Sequence, residues 1–110
     1  MQRTVLKSKL SYTVLTDCNL FYEGSIGLDL DWLEKTNIRP NEQVHVVNVN
    51  NGERLITYAI PRERGSKECV LNGPAARKGV VGDEVIIISY ASIDDHEDLE
   101  PIVVDLKHGS

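Results

Sequence analysis

The sequence predicts a mainly β domain whose strands curl into a barrel. Short runs rich in Val, Ile, Thr and Tyr alternate with Gly, Pro, Asn and Asp, as expected for strands joined by turns. A weak internal repeat at an offset of 41 residues sets Asn41 opposite Gly82 and Glu42 opposite Asp83. Two copies are too few for a solenoid, so the repeat favours a barrel with pseudo-twofold symmetry. Because few positions match, chance similarity remains the alternative.

The predicted strands are apolar and β-branched runs bounded by turn signals. In residues 4–16, a period of two sets Leu6 and Leu10 on one face of a long strand. Asn51-Gly52 is a strong hairpin signal between two further strands. The other predicted strands are residues 20–23, 43–49, 53–60, 68–71, 84–91 and 102–106.

Two short helices are predicted between these strands. Asp29 can cap a helix that reaches Lys35, and Pro40 prevents its continuation. Pro74 suits the first position of a second helix, which Gly79 ends. Turns or loops are predicted for residues 17–19, 61–67 and 92–100.

Composition excludes several classes of protein. The chain has 110 residues and a net charge of −5, which suits a single domain (residues 1–110) and argues against nucleic acid as a partner. No apolar run approaches the roughly 20 residues of a membrane span, and the first residues do not resemble a signal peptide. Cys18 and Cys69 do not form a disulfide framework. We therefore expect a cytoplasmic protein with reduced thiols.

Most catalytic motifs are absent from the sequence. It has no P-loop, no dinucleotide-binding glycine motif and no paired metal ligands, and its three histidines are scattered, so no metal site is expected. What remains is Tyr22-Glu23-Gly24-Ser25, where the Ser25 hydroxyl follows the Gly24 carbonyl. Gly24 lacks a Cβ atom, which permits close approach to that carbonyl. An ordinary Gly-Ser turn is the alternative interpretation.

Short segments from residue 1 to about residue 91 match one known family in order and spacing. They are Arg3-Thr4, Lys9-Leu10, Tyr22-Glu23-Gly24-Ser25, Asn51-Gly52, Arg54, Thr57-Tyr58-Ala59-Ile60, Glu63-Arg64-Gly65-Ser66, Asn72-Gly73, Ala75-Ala76 and Gly82-Asp83. In these segments the chain resembles the pyruvoyl-dependent aspartate decarboxylase family. The resemblance implies a six-stranded double-psi β-barrel with short helices, assembled as a homotetramer with sites between subunits.

The resemblance also implies that the chain cuts itself between Gly24 and Ser25, which would give residues 1–24 and 25–110. Ser25 would become a covalently bound pyruvoyl cofactor, with no metal involved. Thr57 is the implied donor to the oxyanion of this cleavage, a role in which one hydrogen bond matters by about 3 kcal/mol. Tyr22 and Asn72 are the implied positioning residues.

The implied reaction converts L-aspartate to β-alanine and carbon dioxide, and so supplies β-alanine for pantothenate and coenzyme A biosynthesis. The pyruvoyl keto group would form a Schiff base with the substrate and act as an electron sink. Tyr58 is the implied proton donor. Lys9 and Arg54 are the implied cations for the two carboxylates, and Thr57 is an implied substrate contact. A further contact is implied for the backbone of Gly73, Pro74 and Ala75.

Some features depart from a simple match. Along a regular strand Thr57 and Tyr58 point to opposite faces, so one site can use both only if the strand is irregular or two subunits contribute. Ser11 stands where many members have histidine. Pro74 stands where many have alanine, and it removes one N–H from the implied substrate loop.

Two other functions compete with this one. A double-psi barrel can be a plain interaction module, but such a module has no reason to retain Arg54, Thr57, Tyr58 and Asn72 together. The chain can instead be a pyruvoyl enzyme acting on another small amino acid, such as glutamate. The sequence leaves open whether maturation needs a partner protein.

Overall fold

The computed structural model describes residues 1–20 and 24–109. In that part of the chain, the strands are β1 (Gln2–Val14), β2 (Asp17–Asn19), β3 (Ser25–Asp29), β4 (Gln43–Asn48), β5 (Arg54–Arg62), β6 (Cys69–Asn72), β7 (Glu84–Asp94) and β8 (Ile102–Asp105). An α-helix, α1 (Leu30–Lys35), follows β3, and a 3₁₀-helix (Gly73–Lys78) follows β6.

The described strands form one sheet in the order β2-β6-β3-β5-β4-β7-β1-β8. This confirms the mainly β class, and the arrangement is consistent with a barrel of the double-psi type, although the two edge strands do not pair to close it. The sheet has eight strands rather than six. One reason is that Asp17–Asn19, predicted as a turn, pairs in parallel with β6. The other is that β8 pairs in parallel with β1.

The internal repeat corresponds to a real pseudo-twofold relationship. Asn41 and Gly82 both have positive φ angles, 72° and 98°. The Asn41 N–H bonds to the Ala59 carbonyl while the Ala59 N–H bonds to the Glu42 carbonyl, at 2.7 and 2.9 Å. In the other half, the Gly82 N–H bonds to the Leu15 carbonyl while the Leu15 N–H bonds to Asp83, at 2.9 and 2.8 Å. Both copies therefore fold back onto the sheet through the same bonding scheme.

Strand β3 lies at the centre of this symmetry, and the sequence did not predict it. It pairs in parallel with β5 and antiparallel with β6, and all five of its residues are buried. A strand covered on both faces lacks the alternation of polar and apolar residues that reveals a half-exposed strand. The strand predicted at residues 20–23 falls mostly outside the described residues, and Leu20 lies in a turn.

Asp29 fixes the far end of β3. The side chain is 1% exposed and caps α1 as predicted, accepting the Asp31 N–H at 2.8 Å. It also accepts N–H bonds from Gly65 and Lys67, at 3.0 and 2.8 Å, and so ties the charged loop to the helix. Burial opposes its charge, but these bonds and the nearby Arg64 guanidinium lower the pKa of Asp29 below its ordinary value.

We predict that Asp29→Asn lowers the free energy of unfolding by about 1–3 kcal/mol at pH 7, because it weakens three bonds to a buried charge. A carboxylate whose pKa is lowered by folding stabilises above its unfolded pKa of about 3.9, and that contribution is lost as the pH falls. Urea titrations of the wild type and of the variant, at one protein concentration, should therefore give a difference in the free energy of unfolding at pH 7. This difference should become smaller below about pH 4. An equal difference at both pH values would contradict the role assigned to the charge.

Candidate active site

A cleft of about 410 Å³ opens between β5 and the 3₁₀-helix. This volume suits a small organic ligand. The lining residues come from the start of β3, from β5 and from the 3₁₀-helix: Gly24, Leu55, Ile56, Thr57, Tyr58, Pro74, Ala75 and Lys78. The structure thus brings together five of the site residues predicted from the sequence, namely Gly24, Thr57, Tyr58, Pro74 and Ala75.

The cleft borders the part of β5 that precedes its described pairing with β3. The parallel pairing of β3 with β5 begins at Ile26 and Ala59, whereas β5 itself begins at Arg54. Continuing the register backwards sets Gly24 beside Thr57, and the edge of β5 before Ala59 borders the cleft. Side chains from both faces of a strand can reach a cleft at its edge. Thr57 and Tyr58 can therefore serve one site without a bend in the strand.

Ser25 is buried at the start of β3, directly beside this cleft. It is 3% exposed and pairs with Asn72 in the β3–β6 register. The Asn72 side-chain amide Nδ2 donates a hydrogen bond to Ser25 Oγ at 3.0 Å. Asn72 occupies the cap position of the 3₁₀-helix, yet its side chain makes no capping bond. The amide therefore orients the Ser25 hydroxyl instead of stabilising the helix end.

The segment after Asn72 narrows the space above Gly24. Gly73 has a φ of 65°, a conformation that favours glycine, and Pro74 follows it. The Pro74 ring lies 3.7 Å from where a Cβ atom of Gly24 would be. The predicted second helix is present as a six-residue 3₁₀-helix rather than an α-helix.

Lys9 and Arg54 do not line the cleft. Lys9 pairs with Ile88, and Ile88 pairs with His45, which puts all three side chains on the outer face of the sheet. Arg54 is exposed, and its Nη1 atom lies 3.3 Å from His45 Nδ1. The two predicted carboxylate-binding cations are thus not among the described residues that line the cleft beside Ser25.

Lys78 lines the cleft, and the sequence analysis did not identify it. Residues three apart in a 3₁₀-helix lie on the same side, so Lys78 follows Ala75 into the cleft wall. The three-residue spacing of Ala75 and Lys78 was the sequence signal that could have identified Lys78 as a lining residue. Lys78 Nζ forms an ion pair with Glu53 Oε2 at 3.1 Å.

Other kinds of chemistry find little support in the described residues. No three His, Cys, Asp or Glu side chains there come close enough to hold a metal ion. Cys69 is fully buried, and burial raises the pKa of its thiol to about 12, so it is not a thiolate at neutral pH.

None of the helices in residues 1–20 and 24–109 could span a membrane. Tyr22, predicted as a positioning residue, lies outside the described residues.

Comparison with known proteins gives a consistent result. The profile of a family described as aspartate decarboxylase matches residues 1–109. A protein of Coxiella burnetii named aspartate 1-decarboxylase is 55% identical over 105 residues, covering 94% of this chain and 95% of its own. Proteins of the same name from Francisella tularensis subsp. holarctica and Thermoanaerobacter pseudethanolicus are 53% and 54% identical, covering 96% and 88% of this chain and 96% and 83% of their own. The resemblance drawn from the sequence is confirmed: the chain belongs to the aspartate decarboxylase family, a family of carboxy-lyases.

Proposed function

We propose that this protein decarboxylates L-aspartate to β-alanine and carbon dioxide, using a pyruvoyl group that it makes from its own Ser25. The observation that carries the proposal is the buried Ser25 hydroxyl, held by Asn72 next to the Gly24 peptide at the wall of the cleft. The 52–55% identity to relatives named aspartate 1-decarboxylase supports the same substrate.

The proposed self-cleavage would use groups that lie near one another: the Ser25 hydroxyl, the Gly24 peptide beside it and Thr57 in the cleft wall. Ser25 Oγ attacks the Gly24 carbonyl carbon, the peptide C–N bond breaks, and the Ser25 nitrogen takes up the proton, which leaves an ester. Loss of the Ser25 Cα proton then expels the Gly24 carboxylate. Water replaces the nitrogen of the resulting dehydroalanine and ammonia is released. Thr57, beside Gly24 in the cleft, would donate to the oxygen that becomes negative during the attack.

The residues present fit a cofactor formed at position 25. The Ser25 side chain is buried and held by Asn72, and the adjoining cleft suits a small amino acid. The pyruvoyl group would supply a carbonyl that binds the substrate amine and accepts the electron pair released with carbon dioxide. The Tyr58 hydroxyl would give a proton to the carbon that the carboxylate leaves.

A homotetramer with sites between subunits would explain how Lys9 and Arg54 reach a substrate in a cleft that they do not line within one chain. Both lie on the outer sheet face, which also carries Ile56 and Val103, 57% and 47% exposed. Exposed apolar side chains on a regular face are typical of a surface that packs against another chain. A neighbouring subunit could then present Lys9 and Arg54 to the cleft. We further propose that the enzyme works in the cytoplasm and supplies β-alanine for pantothenate synthesis.

The decisive experiment is the intact mass of the denatured, reduced protein together with an assay of carbon dioxide release from aspartate and glutamate. Fragments of residues 1–24 and 25–110 are expected, the longer one lighter than a serine-initiated chain by one ammonia. Ser25→Ala should give one uncut species and no turnover, because it removes the nucleophile. Turnover by that variant would refute the proposal. A wild-type chain that stays uncut after long warm incubation would favour an interaction module.

Asn72→Ala should slow self-cleavage roughly tenfold to a hundredfold, because it removes the hydrogen bond that orients the Ser25 hydroxyl. The rate can be followed by mass spectrometry of freshly made precursor. Asn50→Ala is the matched control, since it removes an exposed amide away from the cleft. Equal rates for the two variants would show that Asn72 does not position Ser25.

Tyr58→Phe should be cut normally but lose turnover by roughly 10²–10⁴-fold, the range expected for a lost general acid. The comparison of cleavage with turnover separates a catalytic role from a folding defect. If the variant decarboxylated aspartate at the wild-type rate, another group would have to deliver the proton.

A further inference from the structure

We propose that His45 is a positioning residue for Arg54, because its ring directs the guanidinium that binds a substrate carboxylate. The inference rests on the proposed function, in which a neighbouring subunit presents Arg54 to the cleft. No role for His45 follows from its position in the sequence, where it is one of three scattered histidines.

The first observation is the contact that the Arg54 side chain makes. Its Nη1 atom lies 3.3 Å from His45 Nδ1, and this is the one hydrogen bond of that side chain among the described residues. A guanidinium only donates hydrogen bonds, so Nδ1 accepts and the ring proton lies on Nε2. The direction of Arg54 therefore depends on a nitrogen that strand β4 holds in place.

Arg54 keeps its charge available for an anion from outside the subunit. Within the described part of the chain, its guanidinium forms no ion pair with a carboxylate. By contrast, Arg3, Arg62 and Arg64 each pair with an acidic side chain. A neutral imidazole orients the guanidinium without neutralising it. Arg54 can thus still donate a charge-assisted hydrogen bond to a substrate carboxylate.

The His45 ring is held by the strands on both sides of β4. In the sheet register His45 lies between Ile56 of β5 and Ile88 of β7, and it is half-buried. The ring also meets the ring of Tyr90 edge to face, with centroids 4.9 Å apart and planes at 68°. A ring held in this way restricts the exposed side chain of Arg54, which would otherwise sample many rotamers.

His45 shares its sheet face with both predicted cations. Ile88 pairs with His45 on one side and with Lys9 on the other, which puts these side chains on the outer face. A neighbouring subunit would have to meet this face for Lys9 and Arg54 to reach its cleft. If Arg54 is already oriented, less side-chain entropy is lost when the substrate binds. Removal of the His45 acceptor should therefore weaken substrate binding.

The first test measures kcat and KM for aspartate in full-length, processed variants. His45→Phe keeps an aromatic ring beside Tyr90 but lacks the acceptor, so kcat/KM should fall roughly threefold to tenfold, as for one lost hydrogen bond. His45→Asn should recover most of this loss, because an asparagine side-chain oxygen can replace Nδ1 as the acceptor. His96→Phe, which changes an exposed histidine in the acidic loop, is the matched control and should behave as wild type.

The second test is a double-mutant cycle with Arg54→Met. If His45 acts through Arg54, His45→Phe should change kcat/KM by less than about twofold once the guanidinium is absent. An equal loss in both backgrounds would mean that His45 acts through packing or subunit assembly, and it would overturn the inference. The same cycle can be run on binding, where Lys9 still supplies a cation in the Arg54→Met background.

The binding measurement is a calorimetric titration with succinate, an unreactive dicarboxylate of similar size to aspartate. Wild type and His45→Asn should bind succinate alike, whereas His45→Phe should bind it roughly threefold to tenfold more weakly. Equal binding by wild type, His45→Phe and Arg54→Met would contradict the inference. Absence of aspartate turnover in wild type would refute the proposed function, while the succinate titration would still decide the role of His45.

Discussion

The antiparallel pairing of β3 with β6 determines where chemistry can occur in this fold. Gly27 pairs with Val70 at the centre of the pseudo-twofold, and two residues away Ser25 pairs with Asn72. Both strands are fully buried, so their register is fixed by packing on both faces. A slip of one residue would turn the Asn72 side chain to the opposite face from Ser25 and disrupt the packing on both faces. The packing of these two strands thus fixes the position of the Ser25 hydroxyl relative to the Asn72 side-chain amide.

The cleft adjoins the same pairing. It borders the edge of β5 before Ala59, which is the first β5 residue to pair with β3, and the 3₁₀-helix lies on its other side. The cleft also borders Gly24, whose peptide bond to Ser25 is the bond at which we propose self-cleavage. The register of β3 therefore decides which peptide bond adjoins the cleft.

Local signals predicted much of the fold, and pairing across the chain explains the rest. The Asp29 cap, the Asn51-Gly52 turn and the repeat at Asn41 and Gly82 depend on nearby residues, and the structure agrees with each. Strand β3 depends on being sandwiched between two distant strands, which leaves no periodic pattern to detect. Strand β2 likewise exists only because β6 pairs with it.

The candidate site shows the same difference between what local sequence signals predict and what depends on distant parts of the chain. Family motifs led to the residues on β5 and around Asn72, because those motifs lie on contiguous stretches of sequence. Lys78 was missed because the segment was assigned to a helix without asking which side faced the strands. Lys9 and Arg54 do not line the cleft, and their predicted binding of the two substrate carboxylates stays a prediction, because a sequence does not reveal which sheet face meets another chain.

The pseudo-twofold has one more consequence. It relates the cleft to a second hollow of about 310 Å³, lined by Tyr12, Thr13, Val14, Thr16, Trp32, Lys67 and Leu106. By the matching bonds and pairs, Thr13 corresponds to Thr57, Lys67 to Gly24, and Asp29 to Asn72. Asn72 bonds the Ser25 hydroxyl and leaves the 3₁₀-helix without a side-chain cap, whereas Asp29 caps α1 and binds the charged loop. Equivalent positions in the two halves thus have different uses: one stabilises a helix end, and the other is available for the reaction that we propose at Ser25.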